Sequence, residues 1–193
     1  ELLKILSEKM ASSSRKEDFE DASGIKRRIE ALSAIKEKKV QYGPMNEERE
    51  LKSILGIKGK LESIEAFDVS SIMGKDSVGS MIYFYKGRPK KSEYRKFKIK
   101  SAAGIDDYAM MRELISRRYS KILEEGGALP GLILIDGGKG HLSVALDELE
   151  KIGLADIPAI GIAKEFEHIY VKDKNEPIVL PSESKALHLL KRI

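Results

Sequence analysis

Two acids in this chain, Asp136 and Asp68, stand where a metal-dependent reaction would need them. Asp136 closes the apolar run Leu132-Ile133-Leu134-Ile135, and Gly137, Gly138 and Gly140 follow with only Lys139 among them. Unalternating apolar residues mark a strand covered on both faces, and the C-terminal ends of such strands are where open α/β sheets place their ligands. Asp68 lies between Phe67 and Val69, where a carboxylate without a partner would be costly to bury. Asp106-Asp107 opens a helical stretch; one of the two caps it, and the spacing alone does not choose which. Hard oxygen donors of this kind suit Mg²⁺ or Mn²⁺, which keep octahedral geometry and polarise phosphoryl oxygens. An apolar strand ending in Asp also occurs in nucleotide hydrolases, but their GxxxxGK[ST] loop is absent. The plainer alternative is a strand end whose tight turn caps the next helix.

The elements that must position these acids are legible around them. Ser63 to Ser70, Val78 to Tyr85 and Tyr94 to Ile99 read as strands, separated by turns at Gly74-Lys75 and Gly87-Arg88-Pro89. Ile105 to about Glu125 reads as a long helix, Leu132 to Asp136 as the fourth strand, His141 to Ile152 as a helix and Ala159 to Ala163 as the fifth strand. His168 to Val171 and Ile178 to Leu180 can pair as a ribbon, and a helix starts near Ser182. Three antiparallel strands followed by alternating α and β is the order of the ribonuclease H-like α/β fold, a mixed sheet with flanking helices. In that architecture strands one and four are parallel neighbours, roughly 4.8 Å apart, so Asp68 and Asp136 can reach the same ions.

A basic stretch lies beside the first acid. Lys86, Arg88, Lys90, Lys91, Arg95, Lys96, Lys98 and Lys100 face the single acid Glu93, with Tyr85 and Tyr94 interleaved. On the turn and strand next to the proposed site, this favours contact with DNA phosphates, which position a strand without reading its sequence. Arg112, Arg117, Arg118 and Lys121 either extend the patch or solubilise the helix that carries them, and Lys139 either reaches a phosphate or is an exposed turn lysine.

Residues 1–40 read as a helical hairpin whose stripe of Met10, Phe19, Ala22, Ile25 and Ile29 belongs either to its own core or to a partner. Residues 41–62 read as a linker carrying one short helix after the break at Tyr42-Gly43-Pro44, and residues 63–193 as the main domain. The 193 residues hold no cysteine, which excludes disulfides and thiolate metal sites. No run approaches the roughly 18 apolar residues of a membrane span, and the lack of cysteine fits a reducing cytosol, so the cytoplasm is the expected location. The chain opens on Glu1, and is expected to be a piece of a longer protein.

The segments IEAFDVSSIMG, KKSEYRKFKI, GIDDYAMMRELISRRY and LILIDGGKGHL resemble, in order and wording, the C-terminal endonuclease half of UvrC, the nuclease of bacterial nucleotide excision repair. The resemblance implies a divalent-metal-dependent nuclease that incises the damaged strand 5′ to a lesion, with Asp68, Asp107 and Asp136 as its catalytic and metal-holding acids and Asp106 as the helix cap. Residues 1–36 resemble the UVR motif through which UvrC docks on UvrB, although Lys26-Arg27 stands where the family tends to carry Arg-Asp. Gly24 also weakens that helix by roughly 0.5–1 kcal/mol relative to Ala. His141 replaces the family's usual Gln, and Ala163-Lys164-Glu165 its AKR. The family's catalytic His falls beyond Ile193, and none of His141, His168 or His188 matches it. Its tandem helix-hairpin-helix module, GIY-YIG nuclease and cysteine-rich segment do not occur in these residues. The alternative function is therefore a non-cutting adaptor that binds DNA or UvrB on a ribonuclease H-like scaffold.

Overall fold

A computed structural model of the chain describes residues 2–15, 18–41, 44–72, 76–100, 106–163, 165 and 167–193. The turn expected at Gly74-Lys75, the helix start at Ile105, and Lys164 lie outside the described residues, as does the Phe19 side chain. The chain divides into two compact units, residues 1–43 and 44–193.

The first unit is a pair of helices packed on each other, α1 (Leu2–Arg15) and α2 (Phe19–Gln41). Asp18 precedes α2 and its carboxylate accepts the Asp21 backbone N–H at 3.1 Å, the usual way an Asp satisfies a helix's open first turn. Of the apolar stripe, Ile25 is buried and Met10, Ala22 and Ile29 are half-buried, whereas Leu2 and Ile5 are exposed.

The second unit begins with α3 (Pro44–Leu55), and here the structure differs from the linker expected over 41–62. Leu51 is fully buried among Leu61, Ile64, Leu132 and Leu190, so the helix belongs to the core of this unit. Polar contacts fix it further. Glu47 accepts a two-pronged pair from Arg192 at 3.0 and 2.5 Å, and Glu50 accepts from the Ser184 hydroxyl at 2.6 Å.

Among the described residues seven strands form one mixed sheet: β1 (Ser63–Ile72), β2 (Asp76–Tyr85), β3 (Arg88–Pro89), β4 (Arg95–Lys98), β5 (Leu132–Asp136), β6 (Ala159–Ala163) and β7 (His168–Val171). Their order is β3-β2-β1-β5-β6-β7, with β4 also pairing to β2. β1 is central, antiparallel to β2 and parallel to β5, as the element order requires. The strand expected over Tyr94 to Ile99 is β4, and Arg88-Pro89, expected as part of the turn, forms the short strand β3 before a 3-10 turn at Lys91–Glu93. The ribbon expected after β7 is a single bridge, Ile169 to Ile178.

The pleat sends alternate residues to opposite faces. One face packs α4 (Asp107–Glu125) and α5 (Lys139–Lys151) over Phe67, Met81, Ile133 and Ile135. The other packs α3 and α6 (Lys185–Arg192) over Ile64, Ala66, Phe84, Leu132, Leu134, Ile160 and Ile162. Burial on both sides is why β5 and β6 read as unbroken apolar runs. α6 begins three residues later than expected because Ser184, held by Glu50, caps it by accepting the Leu187 N–H at 3.2 Å.

A buried ionic contact ties α4 to β1. Glu65, 1% exposed, accepts from Arg118 Nη2 at 2.5 Å, Arg118 Nε at 3.2 Å and the Tyr119 hydroxyl at 3.0 Å. Arg118 is therefore an internal anchor, and Arg117 is spent on Glu113 at 2.7 Å and the Lys98 carbonyl at 2.8 Å. Both guanidinium groups thus hold protein partners.

Candidate active site

β1 and β5 carry Asp68 and Asp136 to the same end of the sheet. Their parallel ladder runs as far as the pair Phe67 and Ile135, so each Asp is the next residue on its strand. Being one step past Phe67 and Ile135, both turn away from α4 and α5, toward the face covered by α6. There they line one cleft of ≈ 200 Å³ with Ser80, Ile82, Leu134 and Ile162, and the end of α6 brings Ile193 to its wall. A larger cavity of ≈ 310 Å³ opens between α5 and the segment after β7, lined by Lys139, Asp147, Glu150, Lys172 and Asp173 among others. Size does not locate the site; the smaller cleft holds the paired carboxylates.

The glycines after Asp136 are explained by close approach. Gly137 N–H donates to the Ile162 carbonyl at 2.9 Å, lacing the turn to β6. A Cβ on Gly161 would stand 2.8 Å from the Gly137 carbonyl oxygen, and one on Gly140 would meet the Tyr108 hydroxyl at 2.6 Å. α5 starts at Lys139, two residues before the expected start, because Gly138 serves as its cap position.

Asp106 caps α4, its carboxylate accepting the Ala109 N–H at 3.0 Å. Asp107 is the first helical residue and is exposed. Its neighbour Tyr108 packs its ring 4.8 Å from that of His141, at the start of α5, so the first turn of α4 lies beside the turn that follows Asp136. Asp107 does not line the Asp68–Asp136 cleft. Among the described residues no three His, Cys, Asp or Glu side chains are gathered closely enough to hold an ion by themselves. His141, the residue that departs from the resembled family, packs against Tyr108 and Gly137.

The basic stretch occupies the sheet edge formed by β3 and β4, and Lys86, Arg88, Lys90, Lys91, Arg95, Lys96, Lys98 and Lys100 are all exposed. Glu93 pairs with Lys90 at 3.3 Å and Arg95 at 3.4 Å. The Lys86 ammonium lies 5.2 Å from the Tyr85 ring centre. Lys139 donates to Asn175 at 3.2 Å. Sequence reading missed Ser80 and Ile193 in the cleft wall; only pairing across β2 and the path of α6 bring them there.

A central strand flanked by an antiparallel and a parallel neighbour, with helices on both faces, is the arrangement of the ribonuclease H-like fold. Residues 52–193 match the family described as the UvrC RNAse H endonuclease domain, and residues 1–35 match the UvrB/uvrC motif. The chain belongs to the UvrC family. It is 46% identical over 149 residues to UvrABC system protein C of Dehalococcoides mccartyi (strain CBDB1), covering 75% of this chain and 24% of that one. With UvrABC system protein C of Chlorobaculum tepidum it shares 51% identity over 144 residues, 74% of this chain and 23% of that one. The chain thus spans about a quarter of the length of the curated relatives it matches. Among solved structures it is similar to Ciona intestinalis endonuclease V in complex with a 23mer DNA, at 18% identity and a TM-score of 0.44, over 77% of this chain and 80% of that one. No helix among the described residues is long and apolar enough to cross a membrane.

Proposed function

We propose that this chain is the nuclease-bearing part of a nucleotide excision repair protein, a divalent-metal-dependent endonuclease that incises damaged double-stranded DNA 5′ to the lesion, in the cytoplasm. The observation that carries this reading is that Asp68, midway along β1, and Asp136, the last residue of the neighbouring strand β5, open on one cleft. The donor set fits Mg²⁺ or Mn²⁺. Mg²⁺ takes one or two carboxylates and keeps its other positions for water and substrate phosphate, and two hard carboxylates are what this cleft offers. When bound, such an ion polarises phosphoryl oxygens and neutralises developing charge.

The protein's own part is to anchor and to exclude. Asp68 and Asp136 supply the fixed negative charge, while Leu134, Ile162 and Ile193 provide apolar walls. Walls of that kind lower the local dielectric and strengthen every charge interaction within. Asp107 serves as the third acid from the first turn of α4, where the resemblance places it. DNA is held by the exposed cations of the sheet edge, Lys86, Arg88, Lys91, Lys96 and Lys98. Lys90 and Arg95, engaged by Glu93, and Lys139, engaged by Asn175, stand outside that set.

Mn²⁺ titration, followed by calorimetry, tests the site. The parent chain should bind the ion, and Asp68→Asn and Asp136→Asn should each weaken binding by tenfold or more. Equal affinity in all three proteins would favour the non-cutting adaptor, a reading that draws on the position of Asp107 outside the cleft.

Residues 1–36 are proposed to dock on UvrB. The half-buried Met10, Ala22 and Ile29 with the exposed Leu2 and Ile5 are the proposed contact, and the buried Ile25 supports the hairpin from within. Deleting residues 1–43 should abolish association with UvrB and leave the melting temperature of the remainder within a few degrees of the parent's. A large fall in melting temperature would mean that the hairpin is part of the nuclease core.

A further inference from the structure

The pleat divides the basic edge into two sets, and only one of them shares a face with the acids. In the β1–β2 ladder Asp68 pairs with Ser80, and in the β2–β4 ladder Ser80 pairs with Lys96. Residues paired laterally project to the same face, as do residues two apart on one strand. Lys96, Ser80, Asp68 and Asp136 therefore form a row across four strands, on the side of the cleft. Lys98, paired with Val78, which in turn pairs with Ser70, stands on the same face one step along. Ser80, small and polar, lies between Lys96 and Asp68, so nothing bulky interrupts the row.

The alternate residues of β4 go the other way. Phe97 packs into the α4 side of the core, with the Arg117 guanidinium 5.8 Å from its ring centre. Arg95 is on that same side, and its guanidinium is occupied by the Ser92 and Tyr94 carbonyls, both at 3.0 Å, as well as by Glu93.

We propose that Lys96 and Lys98 form a phosphate track that leads one DNA strand over β4 and β2 into the Asp68–Asp136 cleft, and that Arg95 takes no part in it. Such a track rests on the nuclease reading of the cleft. Two strand spacings separate Lys96 from Asp68, roughly 10 Å. The track contributes position and salt dependence, not base recognition.

The experiment compares two double variants that remove the same formal charge, Lys96→Ala/Lys98→Ala and Lys90→Ala/Arg95→Ala. Binding of the whole chain to a fluorescein-labelled duplex with a single-stranded arm is followed by anisotropy across a salt series, with Mn²⁺ affinity and melting temperature measured alongside. Removing one lysine–phosphate pair should reduce the salt slope by about 0.7–0.9. The first variant should bind at least tenfold more weakly at low salt, with a slope reduced by one to two and Mn²⁺ affinity unchanged; Lys96→Arg/Lys98→Arg should restore binding. The second should stay within twofold of the parent. Equal losses in both variants would overturn the division by face while leaving a DNA-binding edge intact. No loss in either would remove the track alone, whereas a parent chain that binds no Mn²⁺ would remove the reading on which it rests.

Discussion

In a full-length protein carrying this chain, Asp136→Asn is expected to abolish nicking of a lesion-bearing duplex while leaving its binding unchanged. The substitution keeps the shape of the side chain and removes one of the two charges that face the cleft. Loss of a single preorganised electrostatic contact commonly costs on the order of 10²–10³ in rate, and loss of ion occupancy adds to that. With the phosphates held by the sheet-edge cations, as proposed, affinity for DNA should be retained. The paired acids at the start of α4 supply an internal control. Asp106→Asn should keep both activity and cap, because Asn caps a helix about as well as Asp, whereas Asp107→Asn should lose activity. Nicking at the parental rate by Asp136→Asn in Mg²⁺ would displace the catalytic centre from this strand end and make the adaptor the better reading.

The largest expected change in stability is at Glu65. Glu65→Ala strands the Arg118 guanidinium and the Tyr119 hydroxyl, which now share its two oxygens. Removing one partner of a buried ion pair costs about 3–5 kcal/mol. Arg118 retains 21% of its side-chain exposure and can recover some hydration, so a value near 3 kcal/mol is expected, read as a shift in the urea midpoint. Replacing the pair together, Glu65→Leu/Arg118→Leu, should recover much of that loss, because the lone charge is then gone. The same cluster predicts an alkaline weakness. Burial, and next the adjoining Glu65 carboxylate, push the Tyr119 phenol well above its ordinary range, with Arg118 pulling the other way. An unfolded tyrosine ionises near pH 10. Above about that pH the folded chain holds a proton that the unfolded chain has released, so stability should fall as pH rises. Tyr119→Phe should flatten the fall, and an unchanged alkaline slope in that variant would refute the assignment.

Much of the architecture was legible because it is written in local patterns. Leu132 to Asp136 declared itself as a doubly covered strand and Ala159 to Ala163 as a strand, and the tight turn at Gly87 separated two strands where it was expected. Asp136 could be nominated as a carboxylate ending an apolar strand and Asp68 as one between Phe67 and Val69, where an unpartnered acid is costly to bury; the structure leaves Asp68 exposed. Their parallel neighbourhood followed from element order alone, and the structure has it.

Tertiary packing decided what no window of sequence contains. Pro44–Leu55 has the composition of a linker helix, and only the seating of Leu51 in the core and the pairing of Glu47 with Arg192, 145 residues later, make it part of the nuclease unit. Arg118 looked like one more surface cation until a buried glutamate on a distant strand claimed it. The run from Lys86 to Lys100 reads as one charged stretch because sequence carries no face. Strand pairing gives it two, sending Lys96 and Lys98 to the acids' side and Arg95 to the other, since a pleat of period two assigns each side chain only once the register with β2 is set.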